Sequence, residues 1–188
     1  SSDVCSSDLK NFSVSATFKY LFSDMGRIGN SRGASSVAFD LGVLYKCEIN
    51  DWEGAGWSVG LHVSNLGPKI NYLTSKDALP ATVKVGGAAD LPFLQMHKLT
   101  LTADLGYRLS PADVQALSVS AGAEYAWREL VMLRGGYHCG DKKKGDASYA
   151  TAGAGVEYAG VRLDFAWLFA GHEYLARNTF WVSLGYSF

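Results

Sequence analysis

A two-residue period dominates this chain and restricts it to β-structure. Between residues 12 and 22 the apolar side chains Phe12, Val14, Ala16, Phe18, Tyr20 and Phe22 are separated by Ser13, Ser15, Thr17, Lys19 and, as the one apolar exception, Leu21. Successive strand side chains point to opposite faces, so such a segment has one apolar and one polar face. The pattern recurs over 37–45, 57–63, 83–89, 99–107, 117–127, 131–137, 150–158, 161–169 and 178–188. This predicts about ten strands, with no helix-period segment between them.

The strands are long, and their length narrows the class. Soluble strands commonly run about five or six residues, whereas a tilted strand needs roughly 9 to 11 to cross a bilayer. No stretch approaches the ~20 apolar residues of a membrane-spanning helix, the densest being FAWLFA at 165–170. The connections are too short for crossover helices, so an antiparallel meander is expected. Loop lengths add an orientation. Ala159-Gly160 and Arg128-Glu129 are short, 139–147 and 170–178 are long, and 109–116 and 91–97 are intermediate. Alternating short turns and long loops suits an outer-membrane β-barrel.

Composition bears on which face meets water. Charged residues make up 19% and aromatic residues 13%, against roughly 25% charged in soluble domains. A net charge of −1 gives no nucleic-acid signal, and no nucleic-acid partner is expected. Tyr45, Trp57, Tyr125, Trp127, Tyr158, Tyr186 and Phe188 group at one set of strand ends, and Tyr20, Tyr107, Tyr137, Trp167 and Phe180 at the other. Two aromatic girdles around an aliphatic band are expected of strands in lipid. The rival is a soluble barrel or sandwich with the apolar face inward. Against it, the polar face holds Ser, Thr, Gly and Ala with single charges instead of dense Lys and Glu.

The charges expected on a lumen face are Lys19, Asp40, Lys84, Asp104, Arg108, Glu124, Arg134, Glu157, Arg162 and Asp164, with Lys46, Asp90 and Lys98 beside them. Both signs are nearly balanced, which predicts pairing between neighbouring strands and no ion selectivity.

Motif chemistry is sparse. GAGV at 153–156 and GRIGNSRG at 26–33 join no strand to a helix, so they are barrel or loop glycines, not phosphate loops. The loop CGDKKKGD at 139–146 is a solvated turn whose three lysines, facing outward, can touch lipopolysaccharide phosphates. His62, His97, His138 and His172 lie apart without metal-ligand spacing, and His138 beside Cys139 is a lone pair of donors. No Ser-His-Asp set follows from spacing, and GxSxG is absent. The chain is therefore expected to be no enzyme and to need no cofactor.

The first residues stand apart. SSDVCSSDL, 1–9, resembles the in-frame translation of a sequencing-adapter oligonucleotide, which implies a non-native segment before a truncated gene, with native sequence from near Lys10. The start has neither the basic nor the apolar region of a signal peptide. Setting Cys5 aside leaves Cys47 and Cys139, expected to be unpaired in separate loops.

FDLGVLYK at 39–46, SNLGPKINY at 64–72 and LPATVKVGGAADL at 79–91, followed by an ADLGYR strand and an aromatic C-terminal strand, resemble the PorV/PorQ family of outer-membrane proteins. That family is similar to the FadL long-chain fatty-acid transporter. The resemblance implies a larger barrel with an N-terminal plug segment, about ten of whose C-terminal strands fall in 10–188. It further implies an outer-membrane location in contact with lipid. The function it implies is a type IX secretion component that binds secreted cargo proteins by their C-terminal signal domains, with transport of hydrophobic small molecules as the alternative. The final strand, with Phe180, Val182, Leu184, Tyr186 and Phe188 alternating, resembles the signal by which barrel-assembly machinery recognises its substrates.

Overall fold

A computed structural model describes residues 2–9, 11–23, 34–71, 76–171 and 178–187. The protein is all-β. Its strands are β1 (Ser2–Leu9), β2 (Phe12–Ser23), β3 (Ala34–Glu48), β4 (Gly56–Leu66), β5 (Ile70–Asn71), β6 (Lys76–Asp77), β7 (Thr82–Phe93), β8 (His97–Arg108), β9 (Leu117–Trp127), β10 (Val131–Cys139), β11 (Tyr149–Tyr158), β12 (Val161–Ala170) and β13 (Phe180–Tyr186). Eleven of them form one sheet in the order β1-β2-β3-β4-β7-β8-β9-β10-β11-β12-β13, and β5 pairs with β6 alone. The order follows the chain, as expected of an antiparallel meander. Two 3₁₀ turns, Ala112–Val114 and Lys142–Lys144, are the helical pieces among the described residues, and neither is long enough to cross a membrane.

All ten expected strands form. An eleventh, β1, lies in the segment assigned to the adapter resemblance and pairs with β2 from Leu9↔Phe12 outward. A backbone ladder needs no particular side chains, so a segment of either origin can satisfy it.

The connection read as 91–97 is shorter than expected. β7 runs to Phe93 and β8 starts at His97, leaving Leu94, Gln95 and Met96. Leu94 and Gln95 have φ of 50° and 53°. Arg128 and Glu129, after β9, have φ of 52° and 56°, and Ala159 and Gly160, after β11, have 50° and 79°. Two successive left-handed residues give a turn whose twist matches that of the flanking strands. Cys47 and Cys139 are both free, but they lie at the ends of β3 and β10 and not in loops.

The chain divides into two compact units, one of residues 1–45, 59–85 and 106–117, the other of 46–58, 86–105 and 118–188. In both, exposure follows the two-residue period over parts of the sheet, β9 and β10 most regularly, with apolar residues on the exposed side; β13 is exposed at every residue. Along β3, Phe39 and Leu41 are exposed, whereas Ser36 and Asp40 are 7% exposed and Ala38 is 0%. In the second unit Leu133, Leu163, Phe165 and Phe169 are exposed, and Tyr158 and Leu184 reach 73% and 76%. No large side chain is fully buried among the described residues. Among the described residues the buried apolar set is Ala38, Ala55, Leu79, Ala116, Ala126, Met132 and Leu168.

Candidate functional site

The polar face organises into clusters, and strand register explains each. In the first unit, Thr17 pairs with Asp40 and Lys19 with Ala38 across β2 and β3, placing the Lys19 ammonium diagonally over the Asp40 carboxylate. The two form an ion pair. Lys19 Nζ also donates to Asn65 Oδ1 at 3.3 Å, and the Asn65 backbone N–H donates to Asp40 Oδ1 at 2.8 Å. Asn65 belongs by position to the apolar face of β4, but its φ of 56° breaks the alternation there. Asparagine adopts this left-handed conformation more readily than most residues.

Beyond Asn65 the chain packs back over the same cluster. Ser36 Oγ donates to Pro68 O at 3.1 Å, and Asn65 Nδ2 donates to Pro80 O at 3.2 Å. Gly67 sits directly against the Val37 carbonyl, Ala38 Cα and the Leu79 side chain, with no space for a Cβ. The backbone N–H of Leu109 then donates to Ala81 O at 2.8 Å. The described residues of 66–81 therefore cover Ser36, Ala38 and Asp40, a feature that alternation cannot report.

In the second unit, Glu124, Arg134, Asp164, Arg162 and Glu157 form one chain of ion pairs. Arg134 lies directly opposite Glu124, and the Arg134 Nε–H donates to Glu124 Oε2. Its Nη1 reaches Asp164 Oδ1 at 2.5 Å. Arg162 Nε donates to Asp164 Oδ2 at 2.8 Å, and Arg162 Nη1 lies 3.7 Å from Glu157 Oε2. The span from β10 to β12 passes over β11 at Gly153 and Gly155, and a Cβ on Gly155 would meet both Asp164 Oδ1 and Arg134 Nη1. The glycines of GAGV thus leave room for the bridge.

The remaining charges are more scattered. Lys98 pairs with Asp90 at 3.3 Å, and Thr100 Oγ1 donates to the same carboxylate at 2.6 Å. Asp104 lies against Gly86 with its Oδ1 buried and without a hydrogen-bond partner among the described residues. Lys46 lines a cleft with Asp90 and Trp57, Lys84 is exposed, and Arg108 is half-buried at the end of β8. Of the C-terminal set, Phe180, Val182, Leu184 and Tyr186 are exposed on β13; Phe188 lies outside the described residues.

One constellation was not anticipated. Ser120 Oγ lies 3.0 Å from His138 Nδ1, and His138 Nε2 lies 3.0 Å from Asp146 Oδ1. The imidazole stacks on Tyr149 with ring centroids 4.8 Å apart. With Nε2 donating to the carboxylate, Nδ1 is left to accept from the Ser120 hydroxyl. The signal was available in the register. Once the tight turn pairs Trp127 with Val131, counting back along both strands puts Ser120 opposite His138. The trio has the residue types of an acyl-transfer triad. However, Ser120 lies on a strand flanked by β8 and β10, so its neighbouring backbone N–H groups serve the ladder and form no oxyanion-binding pair. Its evident role is to fasten the 140–148 turn to the sheet.

Among the described residues, no three His, Cys, Asp or Glu side chains come together to hold a metal. Against curated proteins the chain finds no match. The sequence profile of one family, described as Type IX secretion system protein PorV, matches residues 5–115, more than half of the chain. The match spans β2 to β8, including the Lys19–Asp40–Asn65 cluster and the segment folded over it, and the chain belongs to the PorV family of type IX secretion system proteins.

Proposed function

We infer that the protein works as an outer-membrane β-barrel component of type IX secretion, binding secreted cargo proteins and performing no catalysis. The observation that carries this reading is the reversed exposure of the sheet. Phe39, Leu41, Leu133, Leu163 and Phe165 face outward, while charges such as Asp40 and Arg134 are paired on the opposite face. In water that surface costs about 25 cal/mol for each Å² of apolar area exposed. In hydrocarbon it costs nothing, and for every strand between the edge strands β1 and β13 the ladder satisfies the backbone groups that lipid cannot.

Binding of cargo is favoured over passage of small hydrophobic molecules by the packing of 66–81 onto Ser36 and Ala38. Gly67 and Pro68, held against β3, narrow the space on its polar face and offer fixed backbone to a protein partner.

The test is fractionation followed by capture. The full chain, expressed with an export signal, is expected in the outer-membrane fraction and soluble only in detergent. It should then retain an immobilised C-terminal signal domain of a type IX substrate. Recovery of monodisperse protein in detergent-free buffer would overturn the membrane reading. Failure to retain the signal domain, combined with uptake of a radiolabelled fatty acid, would replace cargo binding by transport.

A further inference from the structure

The turn between β10 and β11 carries Lys142, Lys143 and Lys144 in succession, and it is held unusually firmly for a connection of its length. Ser120, His138 and Asp146 tie it to the sheet from below. Asp141 Oδ1 accepts from the Lys143 backbone N–H at 3.0 Å, and Gly145, at φ 76°, closes the 3₁₀ turn by donating to Lys142 O. Gly140 N–H donates to Ser148 Oγ at 3.2 Å. Both acidic side chains of the turn are thereby engaged, Asp146 with His138 and Asp141 with the backbone. Lys142 and Lys143 are exposed and make no ion pair among the described residues.

Just below this turn the register sets Tyr137 opposite Ala150, and Ala150 opposite Phe169. Tyr137 and Phe169 are both exposed. Lys142 follows Tyr137 by five residues, so at about 3.3 Å per residue the exposed lysines begin no more than roughly 17 Å from this apolar row. Cations carried on a fastened turn beyond an apolar row match the layout of one membrane lipid, with acyl chains against the row and the phosphate above it.

We propose that Lys142 and Lys143 form a binding site for the phosphate-bearing head group of a membrane lipid whose acyl chains lie on Tyr137, Ala150 and Phe169. This rests on the membrane reading above. The fixed backbone of the turn matters because it holds the two lysines side by side at one place on the sheet before the ligand arrives, so less ordering is left to binding.

The experiment is native mass spectrometry of the full chain in detergent, titrated with bisphosphorylated lipid A, its dephosphorylated form, or inorganic phosphate. Wild-type protein should retain bisphosphorylated lipid A in preference to the dephosphorylated form, the more weakly as salt is raised. Each basic residue near a phosphate contributes about fivefold, so the Lys142→Gln/Lys143→Gln protein should retain it about 25-fold less well. His138→Ala, which keeps the lysines but frees the turn, should weaken retention by a smaller factor. Unchanged retention by the lysine variant, with its circular dichroism intact, would overturn the proposal. So would displacement of the lipid by millimolar inorganic phosphate, which would make the site one for the free anion. Failure of the membrane reading is separately visible, as protein that stays soluble without detergent.

Discussion

Arg134 on β10 and Asp164 on β12 are bonded across the whole width of β11, Nη1 to Oδ1 at 2.5 Å, because Gly155 between them has no side chain. The bridge fastens three strands at a point where the backbone ladder fastens only neighbours. A valine at Gly155 would occupy the space of both charged groups. Gly155→Val is expected to destabilise the protein by about 2 kcal/mol in detergent denaturation. A double-mutant cycle over Arg134→Ala and Asp164→Ala should give a coupling of about 1 kcal/mol, since both groups are half-exposed. A coupling indistinguishable from zero would show that the two charges are neighbours without mutual stabilisation.

The tight turn at Arg128 and Glu129 holds two non-glycine residues at positive φ. Left-handed backbone costs an L-residue roughly 1 kcal/mol or more, and glycine escapes that cost. Glu129→Gly should therefore stabilise by about 0.5–1 kcal/mol. Arg128, whose guanidinium lies 5.5 Å from the Trp127 ring centroid and whose Nε donates to Met96 Sδ, is left in place. A lower midpoint of denaturation would indicate that the Glu129 side chain makes a contribution larger than the strain it carries.

Gly67 is the point at which the 66–81 segment meets β3. Gly67→Val would drive a side chain into the Val37 carbonyl and Leu79, at a cost of about 1–3 kcal/mol from overpacking. The segment is expected to lift, breaking the Ser36 to Pro68 hydrogen bond. Limited proteolysis should then cut within 66–81 faster than in the wild type, with strands β9 to β13 equally protected in both. Equal cleavage rates would mean that the segment is held elsewhere.

The parts of this fold legible in the sequence are those where the two-residue period runs unbroken into a short turn. The β9–β10 and β11–β12 hairpins are such cases, since Arg128-Glu129 and Ala159-Gly160 interrupt the apolar series sharply. The β7–β8 turn was harder to place because Leu94 and Met96 are themselves apolar and carry no turn signal, hiding the strand ends at Phe93 and His97. Asn65 escapes for another reason: a single left-handed residue turns its side chain to the opposite face while leaving its place in the pattern unchanged. The contacts made by the described residues of 66–81 rest on the Pro68 carbonyl, which meets Ser36 on β3, and the Pro80 carbonyl, which meets Asn65 on β4, and no residue type announces them. The pairing of Arg134 with Asp164, by contrast, follows from two registers and the small size of Gly155, so the charge balance of the polar face carried real information about it.

The membrane reading makes its sharpest forecast at Leu41. It is exposed and lies midway along β3, opposite Ala16 on β2. If that position lies at the centre of a bilayer, Leu41→Arg buries a guanidinium in hydrocarbon and should cost about 2–4 kcal/mol, measured by denaturation from lipid vesicles. Leu41→Phe, equally apolar, should be tolerated. If the face instead meets water, arginine replaces an exposed leucine and the change should fall within about 0.5 kcal/mol of zero. The two environments thus predict effects that do not overlap. A near-zero value for Leu41→Arg, in protein whose strands remain intact by circular dichroism, would remove lipid as the medium that this face was built to meet.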